Sequence, residues 1–549
     1  MKVKVLSAAL MAVCAQGAFG APATTLYGGG ATFPAAAYGG VEWLTGPNTG
    51  TAVAPIYASL PSAPITRLIS GGAPGSFMAV YAASTAVKPF AFPANIVAAT
   101  TIVSGKNYTI KTLGDTNWAS LGVSVTPAIG VQFTASASGT GTGTANLNVR
   151  PSMSYCQTGS GGGKNVFIGV KTADFVATSG NANGLSCGNF NTSVIPFGAG
   201  GGFSAPASQT DADFVGTDAP MSSSEYSTFK NNKSSTRGVP VQIPVAVGAV
   251  GLVYNNVNTG KSLGSAPLAI SMSEACQIFS GAISNWSSFG YPSKPIKVVY
   301  RSDKSGTSFG FSNALSAMCT AEGVTGFTTQ ETMGLAFPLA TPPAGSIPAS
   351  GNAGVIDAVG LNDGAIGYGD VNDAVARQRI TPTLNDVNFF SVKAKLGINS
   401  ATTKLYIAKS PLKVGKTFKL PVGAVVFDKT YAAGANDLNG RPTLTAIAGV
   451  PSARAGCMAL VTPDSYGNAP LDANGNYSIY PFQAVTYMLF NANGNGENAV
   501  NLQQLAGSFY GPATAPAIKA SVTSISPTNG FSYIAGYGPT AQIKNCIGF

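Results

Sequence analysis

The chain has 549 residues, more than one typical hydrophobic core accommodates, so we expect two or more domains. Only 9% of the residues are charged and 45% are hydrophobic, so Ser, Thr, Asn and Gly must cover the surface, which favours an extracytoplasmic protein. The net charge of +10 is spread thinly, without basic blocks interleaved with aromatic residues, and therefore favours small anions over nucleic acids. The sequence has no histidine, which excludes Ser-His-Asp and Cys-His catalysis and all His-based metal sites.

The N-terminus predicts export. Lys2 and Lys4 precede a short apolar run at residues 5–13, and small residues follow, which indicates a secretory signal peptide over residues 1–23. Its cleavage would lower the net charge to about +8, because two lysines are lost. The run is too short for an anchor and no later one is long enough to span a bilayer. We therefore expect a periplasmic or secreted protein that does not span a membrane.

Cysteine usage fits this compartment. Seven cysteines become six when Cys14 is removed with the signal peptide, and an even number in an exported chain indicates disulfides. The sequence leaves the pairing open. The simplest local pairings are Cys156–Cys187, Cys276–Cys319 and Cys457–Cys546.

The first part of the chain predicts an α/β start followed by a β insertion. Residues 24–95 read as a short strand, a Gly-rich turn and an Ala-rich helix from Pro34. Strand-like pieces at 108–111 and 131–135 then alternate with Gly, Ser and Thr. The Gly/Thr tract at 136–145 predicts a flexible loop that ends an insertion at about residues 95–150.

After the insertion, strands and helices alternate, which predicts α/β lobes. The expected strands are 154–158, 213–217, 295–300, 365–368 and 484–491, with 242–254 as a buried strand pair or crossing segment. The expected helices are 164–170 after a turn at 159–163, then 222–230, 271–279, 310–319, 355–359 and 500–509. Residues 180–210 read as a loop, and about 380–430 as β elaboration with strands at 404–407 and 424–427.

Two Gly-rich segments follow predicted strands. In residues 28–34, Thr32 stands at a helix entrance where backbone N–H groups and a hydroxyl can face an anion; an ordinary capped helix is the alternative. Residues 159–164 resemble half a P-loop, but the Walker spacing and the Ser/Thr after Lys164 are absent, so a nucleotide site is not expected. A flexible loop is the alternative there.

Two further segments bring charge to strand ends. Asp218 ends a strand before a predicted helix, where a carboxylate is commonly only an N-cap. Arg301 stands at the end of a later apolar strand, and Ser305, Gly306 and Thr307 then open a helix. Arginine can bind an oxyanion through two parallel hydrogen bonds, and Asp303 can orient its guanidinium. Because ligands of α/β sheets bind at such strand ends, these turns predict a dry site for one small anion.

These segments resemble the phosphate-binding proteins of bacterial phosphate ABC transporters, and more closely their DING branch. Residues 301–307 are similar to the family's Arg-x-Asp-x-Ser-Gly-Thr motif at full spacing, and residues 214–220 to its Gly-x-Asp-Ala-Pro segment. Residues 28–34 resemble its N-terminal ligand loop, and residues 351–359 with 364–368 its helix and Gly-Ala-Ile-Gly-Tyr strand. The resemblance covers roughly two-thirds of the chain.

The resemblance implies a two-lobed α/β periplasmic-binding-protein fold, type II-like, with a hinge and inserted β elements. Lobe I would comprise residues 24–245 and 478–549, and lobe II residues 246–477. The implied phosphate contacts are Thr32, the backbone N–H of Phe33, Asp218, Arg301, Ser305, Gly306 and Thr307.

One loop serine of the family has two candidate positions. A DING-like alignment gives Ser160, whereas spacing in the transporter proteins points to residues 199–201, which lack a hydroxyl. We predict Ser160, because residues 159–164 have the strand–turn–helix setting.

The resemblance implies capture of inorganic phosphate without catalysis, cofactor or metal, with an ABC permease as partner. The insertion at about 95–150 is foreign to the family and is similar to a small module of phage tail proteins. It favours an alternative, a secreted DING-like surface protein that uses the fold for adhesion or assembly. A phosphatase is a third hypothesis, which the lack of histidine disfavours.

Overall fold

The structure is a computed structural model, and the chain divides into two compact units: residues 1–25 with 91–152, and residues 26–90 with 153–549. The structure describes residues 25–34, 77–80, 96–105, 107–148, 152–170, 211–254, 271–290, 293–370, 425–426, 429–436, 442–446, 457–467, 480–508, 531–533 and 546–548.

The described residues form strands β1 to β18 and helices α1 to α8. The strands are β1 Thr25–Gly30, β2 Phe77–Val80, β3 Ile96–Ala98, β4 Asn107–Thr112, β5 Gln132–Thr134, β6 Thr144–Asn148, β7 Ser152–Gln157, β8 Phe214–Thr217, β9 Pro240–Tyr254, β10 Lys297–Arg301, β11 Ile347–Ala349, β12 Ala365–Asp370, β13 Val425–Val426, β14 Lys429–Asn436, β15 Pro442–Ala446, β16 Leu460–Val461, β17 Gln483–Asn491 and β18 Phe531–Tyr533. The helices are α1 Gly159–Phe167, α2 Ser223–Arg237, α3 Met272–Ser280, α4 Gly306–Met318, α5 Met333–Ala336, α6 Gly351–Leu361, α7 Pro463–Gly467 and α8 Ala499–Ser508.

The smaller unit is built on an antiparallel sheet with strand order β3-β6-β4-β5. Its core centres on Phe133, whose ring lies 5.7 Å from that of Trp118 and 5.8 Å from that of Tyr108. All three side chains are buried, so this short segment has a hydrophobic core of its own.

The Gly/Thr tract of this unit is a loop up to residue 143, and specific hydrogen bonds and close packing hold it. The backbone N–H of Thr142 donates to Asp115 at 2.5 Å and that of Gly143 donates to the Thr116 hydroxyl at 2.9 Å. A Cβ on Gly143 would lie 2.6 Å from the Trp118 ring. Glycine therefore permits close packing here, and the chain continues from the tract directly into β6.

The larger unit is organised by a ten-stranded mixed sheet with the order β11-β10-β12-β9-β17-β8-β1-β7-β2, and β18 also pairs with β9. We call β2, β7, β1 and β8 the β8 side of the sheet, and β11, β10 and β12 the β10 side. The pairs β1–β8, β10–β11 and β10–β12 are parallel, whereas β9 and β17 pair antiparallel with their neighbours.

Strand β9 joins the two sides of the sheet. Its residues 240–249 pair with β17, which in turn pairs with β8, and its residues 250–254 pair with β12. All fifteen residues are buried, which explains the continuous apolar run in the sequence. The segment predicted as a strand pair or crossing segment is thus one long strand.

Helix α1 begins earlier than predicted. Residues 159–163, expected to form a turn, are its first five residues, and all are buried. Glycine costs about 1 kcal/mol per position in a helix relative to alanine, so propensity argues against this start. Packing overrides propensity: a Cβ on Gly161 would lie 2.5 Å from Lys304 Cβ, and one on Gly163 would lie 2.6 Å from Gly30 Cα.

Three other helices are longer than predicted. Helix α2 starts from a capping box formed by Ser222 and Glu225 and extends beyond the expected end at residue 230. Helix α4 begins at Gly306, where the motif at 305–307 predicted a helix to open and before the helical stretch expected from 310. Helix α6 begins at Gly351, four residues before the helical stretch expected from 355. The helix from Pro34, the loops at 180–210 and the strand at 404–407 lie outside the described residues.

Two of the three simplest cysteine pairings form disulfides in the structure. Cys276 in α3 bonds Cys319 at the end of α4, and Cys457 bonds Cys546. The third pairing involves Cys187, which lies outside the described residues. Among the helices in the described part of the chain, none combines the length and hydropathy needed to cross a bilayer.

Candidate functional site

The site lies where β1, β7, β8 and β10 end. Strands β1 and β8 run parallel and in register, with Gly30 opposite Gly216, so their carboxyl ends meet at one edge. Gly30 has a φ of +124°, and a Cβ there would lie 2.1 Å from the Gly216 carbonyl oxygen. Ala31 N–H donates to that oxygen at 2.8 Å, which fixes the turn that carries Thr32.

Arg301 is the charged centre of the site, and its guanidinium is fully buried. Nε donates to Asp303 Oδ1 at 2.7 Å, and the other Asp303 oxygen accepts from a terminal nitrogen, which makes the pair bidentate. The remaining terminal nitrogen donates to Thr32 Oγ1 at 3.2 Å and to Asn352 Oδ1 at 2.9 Å. Burial alone would lower the pKa of Arg301, but Asp303 holds it above its usual value.

Asp303 is the fixed partner of this arginine. It is itself buried and accepts a further hydrogen bond from the backbone N–H of Gly351 at 3.0 Å, at the start of α6. Burial opposes ionisation, yet the pKa of Asp303 is lowered, because Arg301 attracts the carboxylate and donates to it. The pair therefore stays ionised within the fold.

Asp218 is the second carboxylate of the site and has a different character. It is buried, and burial raises its pKa to about 7 despite hydrogen bonds from Thr486 and Ser160 and attraction by Arg301. The Ser160 hydroxyl lies 3.4 Å from Asp218 Oδ2 and accepts from the Asp218 backbone N–H at 3.1 Å. Asp218 is not the N-cap of α2, because Ser222 holds that position.

The first turn of helix α4 lies beside Asp218 in the same site. Ser305 caps it by accepting from the Ser308 N–H at 3.2 Å. Gly306 abuts Asp218: a Cβ added there would lie 2.5 Å from both its carbonyl carbon and its Cβ. The Thr307 hydroxyl is fully buried and has no hydrogen-bond partner among the described residues.

The structure brings all eight predicted binding residues to this edge of the sheet. Phe33 contributes through its backbone only, because its buried ring packs against Phe531 at 5.1 Å. The alternative loop at 199–201 lies outside the described residues, whereas Ser160 contacts Asp218. The arrangement combines one cation, one carboxyl group that titrates near neutrality and several hydroxyls, which suits an oxyanion that carries a proton.

Sequence reasoning missed two residues of the site. Asn352 is the second residue of α6, which follows β11, and its amide nitrogen is buried without a hydrogen-bond partner among the described residues. Thr486 donates to Asp218 from within β17. No local pattern in the predicted strand distinguished this hydroxyl as a site residue.

A family model described as a PBP superfamily domain matches residues 104–435, which is more than half of the chain. The chain belongs to the PBP superfamily. The α/β binding-protein fold predicted from the sequence is thereby confirmed.

Among curated proteins, a phosphate-binding protein from an unknown prokaryotic organism is 30% identical over 201 residues, covering 36% of this chain and 51% of the relative. Alkaline phosphatase L of Pseudomonas aeruginosa is 28% identical over 225 residues, covering 40% and 49%. The chain thus spans about half the length of the curated relatives it matches. The resemblance to phosphate-binding proteins is confirmed.

Among solved structures, a high-affinity periplasmic phosphate-binding protein (PfluDING) bound with phosphate aligns with a TM-score of 0.42 and 22% identity, covering 71% of this chain and 85% of that one.

Proposed function

We propose that this protein binds inorganic phosphate at the site around Arg301 and Asp218, and that it performs no chemistry on it. The observation that carries the proposal is that one site holds both Arg301, whose charge Asp303 stabilises, and Asp218, whose pKa burial raises to about 7. One group supplies attraction for an anion and the other exchanges a proton near neutrality.

We propose that donors from several elements converge on the anion. Arg301 and the N-terminal turn of α4 supply charge and N–H groups, and the hydroxyls come from the Ser and Thr side chains. The residues we propose as ligands are Thr32, Phe33 through its backbone N–H, Ser160, Asp218, Arg301, Ser305, Gly306 and Thr307. A buried anion needs such a complete set, because each unpaired polar group costs about 1–3 kcal/mol.

Asp218 would give selectivity for phosphate over sulfate. Phosphate carries a proton at neutral pH that an ionised Asp218 accepts, whereas a sulfate oxygen would face the carboxylate without a proton between them. This mismatch discriminates against sulfate through an unpaired buried charge. Isothermal titration calorimetry with phosphate and sulfate tests it: we expect tight phosphate binding and no measurable sulfate binding at pH 8, and equal affinities contradict the proposal.

We propose that the two sides of the large sheet act as two lobes that close on phosphate, for uptake through an ABC permease after cleavage of the signal peptide. Relatives named phosphate-binding proteins favour this role. The alternative, a secreted surface protein, is favoured by the compact unit at 91–152. Deletion of the gene should slow growth on limiting phosphate if the role is uptake, whereas normal growth with lost adhesion supports the alternative.

A phosphatase activity is the competing function, because relatives named Alkaline phosphatase L match over about two-fifths of the chain. The site offers no histidine, and no group of metal-binding side chains occurs in the described part of the chain. We expect purified protein to release no phosphate from p-nitrophenyl phosphate above an Arg301→Ala control, and turnover that this substitution abolishes would favour the phosphatase.

A further inference from the structure

Four charged side chains outside the proposed anion site form a closed ring. Lys164 Nζ lies 3.0 Å from Glu225 Oε2 and 3.0 Å from Glu331 Oε1. Lys304 Nζ lies 2.9 Å from Glu225 Oε1 and 3.0 Å from Glu331 Oε2. Each lysine therefore contacts both glutamates, each glutamate uses one oxygen for each lysine, and the ring has no net charge.

The ring joins the two sides of the sheet. Lys164 is in α1, which follows β7, and Glu225 is in α2, which follows β8, so both belong to the β8 side. Lys304 follows β10 and Glu331 follows α4, so both belong to the β10 side. Two ion pairs thus lie within one side each, and two cross between the sides.

The backbone beside the ring is also joined across the sides. The N–H of Gly161 donates to the Lys304 carbonyl oxygen at 3.1 Å, and the Lys304 side chain packs against the Cα of Gly161, where a Cβ would lie 2.5 Å away. On the β10 side, the N–H of Ser305 donates to the Glu331 carbonyl oxygen at 2.9 Å. The ring is therefore held in place by the same two segments that carry the proposed phosphate ligands, the first turn of α1 with Ser160 and the residues before α4 with Ser305.

The two ion pairs that cross between the sides can break and re-form at little electrostatic cost. If the sides part, each keeps one lysine and one glutamate already in contact, Lys164 with Glu225 and Lys304 with Glu331. No uncompensated buried charge is left on either side, which is what makes breaking most buried ion pairs so unfavourable. The side chain of Lys164 is 1% exposed and that of Lys304 is 42% exposed, so solvent ions reach the ring at Lys304.

We propose that Lys164, Glu225, Lys304 and Glu331 form a reversible ionic clasp that holds the two sides of the sheet closed and sets how fast phosphate is released. The release rate rests on the proposed phosphate function, whereas closure of the two sides does not. The clasp acts through the two crossing pairs, Lys164–Glu331 and Lys304–Glu225, and leaves the ligand set unchanged.

The decisive variant exchanges the charges on the β10 side only, Lys304→Glu with Glu331→Lys. The pair within that side is kept in reverse, but Lys164 then faces a lysine and Glu225 faces a glutamate. The exchange is made on this side because the Glu225 carboxylate also accepts from the Ser222 N–H at 2.9 Å and caps α2. The matched control, Lys294→Asp with Asp363→Lys, reverses an ion pair that lies within the β10 side.

Two measurements test the clasp, and one of them does not depend on phosphate binding. Small-angle X-ray scattering of the ligand-free protein measures closure directly, and we expect a larger radius of gyration for the exchange variant than for wild type and control. Stopped-flow release of inorganic phosphate should be faster by about 100-fold, since opposed like charges cost several kcal/mol. If wild type binds no phosphate, the proposed function fails, and scattering still tests the clasp.

Salt provides a signature that a merely structural role does not produce. Added salt screens attraction in wild type and repulsion in the exchange variant. Relative to the control, salt should therefore speed release in wild type and slow it in the exchange variant. A neutral variant, Lys304→Met with Glu331→Gln, should release phosphate about tenfold faster than wild type and lack this relative salt effect. If the exchange variant does not fold, the neutral variant still tests the clasp. Scattering and salt dependence identical to the control in every variant that folds would overturn the clasp.

Discussion

Helices α1 and α4 both begin at the candidate site, and they build it in opposite ways. The turn before α4 brings charge and fixed donors: Arg301 is held by Asp303, and Ser305 caps the helix. The start of α1 brings mostly glycine, and Ser160 contributes the hydroxyl. The turn before α4 supplies interacting groups. The start of α1 lacks bulky side chains, so that neighbouring segments can pack closely against its backbone.

The candidate site depends both on the fixed donors before α4 and on the close packing that glycine permits at the start of α1. Burial destabilises an unpaired cation, so Arg301 needs Asp303 and Asn352 beside it as hydrogen-bond acceptors. Gly159, at a φ of +77°, makes room for that arrangement, because a Cβ there would lie 2.8 Å from an Asp303 carboxylate oxygen. Substitutions on the α4 side should therefore remove attraction, and those on the α1 side should cause steric conflict.

The largest effect is expected from Arg301→Lys. Lysine keeps the charge but cannot bind Asp303 bidentately, so the cation loses its fixed orientation. We expect phosphate affinity to fall by roughly 100-fold or more, because a buried bidentate contact is lost. Calorimetry measures this, with the melting temperature of the variant as the check on folding. An unchanged affinity would show that Arg301 does not contact the anion.

Adding a methyl group where α4 packs against Asp218 should have the next largest effect on phosphate affinity. Gly306→Ala places a Cβ 2.5 Å from Asp218, so either the helix start or the carboxylate must shift, and phosphate affinity should fall about tenfold. Gly354→Ala is the matched control, since its Cβ meets only Ala349 at 3.9 Å in the interior of α6. If both variants bind like wild type, close packing at Gly306 is unimportant.

The pH dependence of selectivity follows from Asp218. Burial raises its pKa to about 7, so the free site is protonated below that pH and ionised above it. Protonated Asp218 donates to a sulfate oxygen, whereas ionised Asp218 repels it. Sulfate affinity should therefore fall by about tenfold for each pH unit above 7, because binding takes up one proton. Titrations with sulfate between pH 6 and 7.5 measure the onset of this fall, and a flat profile would contradict the assignment.

The smallest effect on binding is expected from the disulfide that ties α3 to the end of α4. Cys276→Ser with Cys319→Ser removes a link across 43 residues and should lower stability by about 2–4 kcal/mol. Thermal unfolding measures this loss. Phosphate affinity at 25 °C should stay within about twofold, because the bond lies at the opposite end of α4 from Ser305. A large loss of affinity would place the disulfide among the groups that orient the site.

The same two turns show how much of the site the sequence could predict. Arg301 and residues 305–307 were predicted because an apolar strand ending in charge and hydroxyls has a direct chemical meaning. The helical start of α1 was missed because glycine disfavours helices, and only contacts with Lys304 and Gly30 offset that preference. Such contacts come from distant parts of the chain and leave no local pattern.

Asn352 and Thr486 were missed for the same reason. Each approaches the site from a strand or helix far away in sequence, and neither lies in a Gly-rich turn with charge. The ring of Lys164, Glu225, Lys304 and Glu331 likewise consists of four scattered charges. The sequence predicted the strand and helix types well where patterns were long, as in β9 and β17, and less well where tertiary packing sets the ends.

Calorimetry of Asp218→Asn with phosphate and sulfate tests most directly whether Asp218 accepts the proton of a bound phosphate. Asparagine keeps the size of the side chain but donates through its amide, so phosphate binding should weaken and sulfate binding should become measurable at pH 8. Comparable affinities for the two anions are the predicted result. A variant that still binds phosphate tightly and rejects sulfate would contradict the central claim.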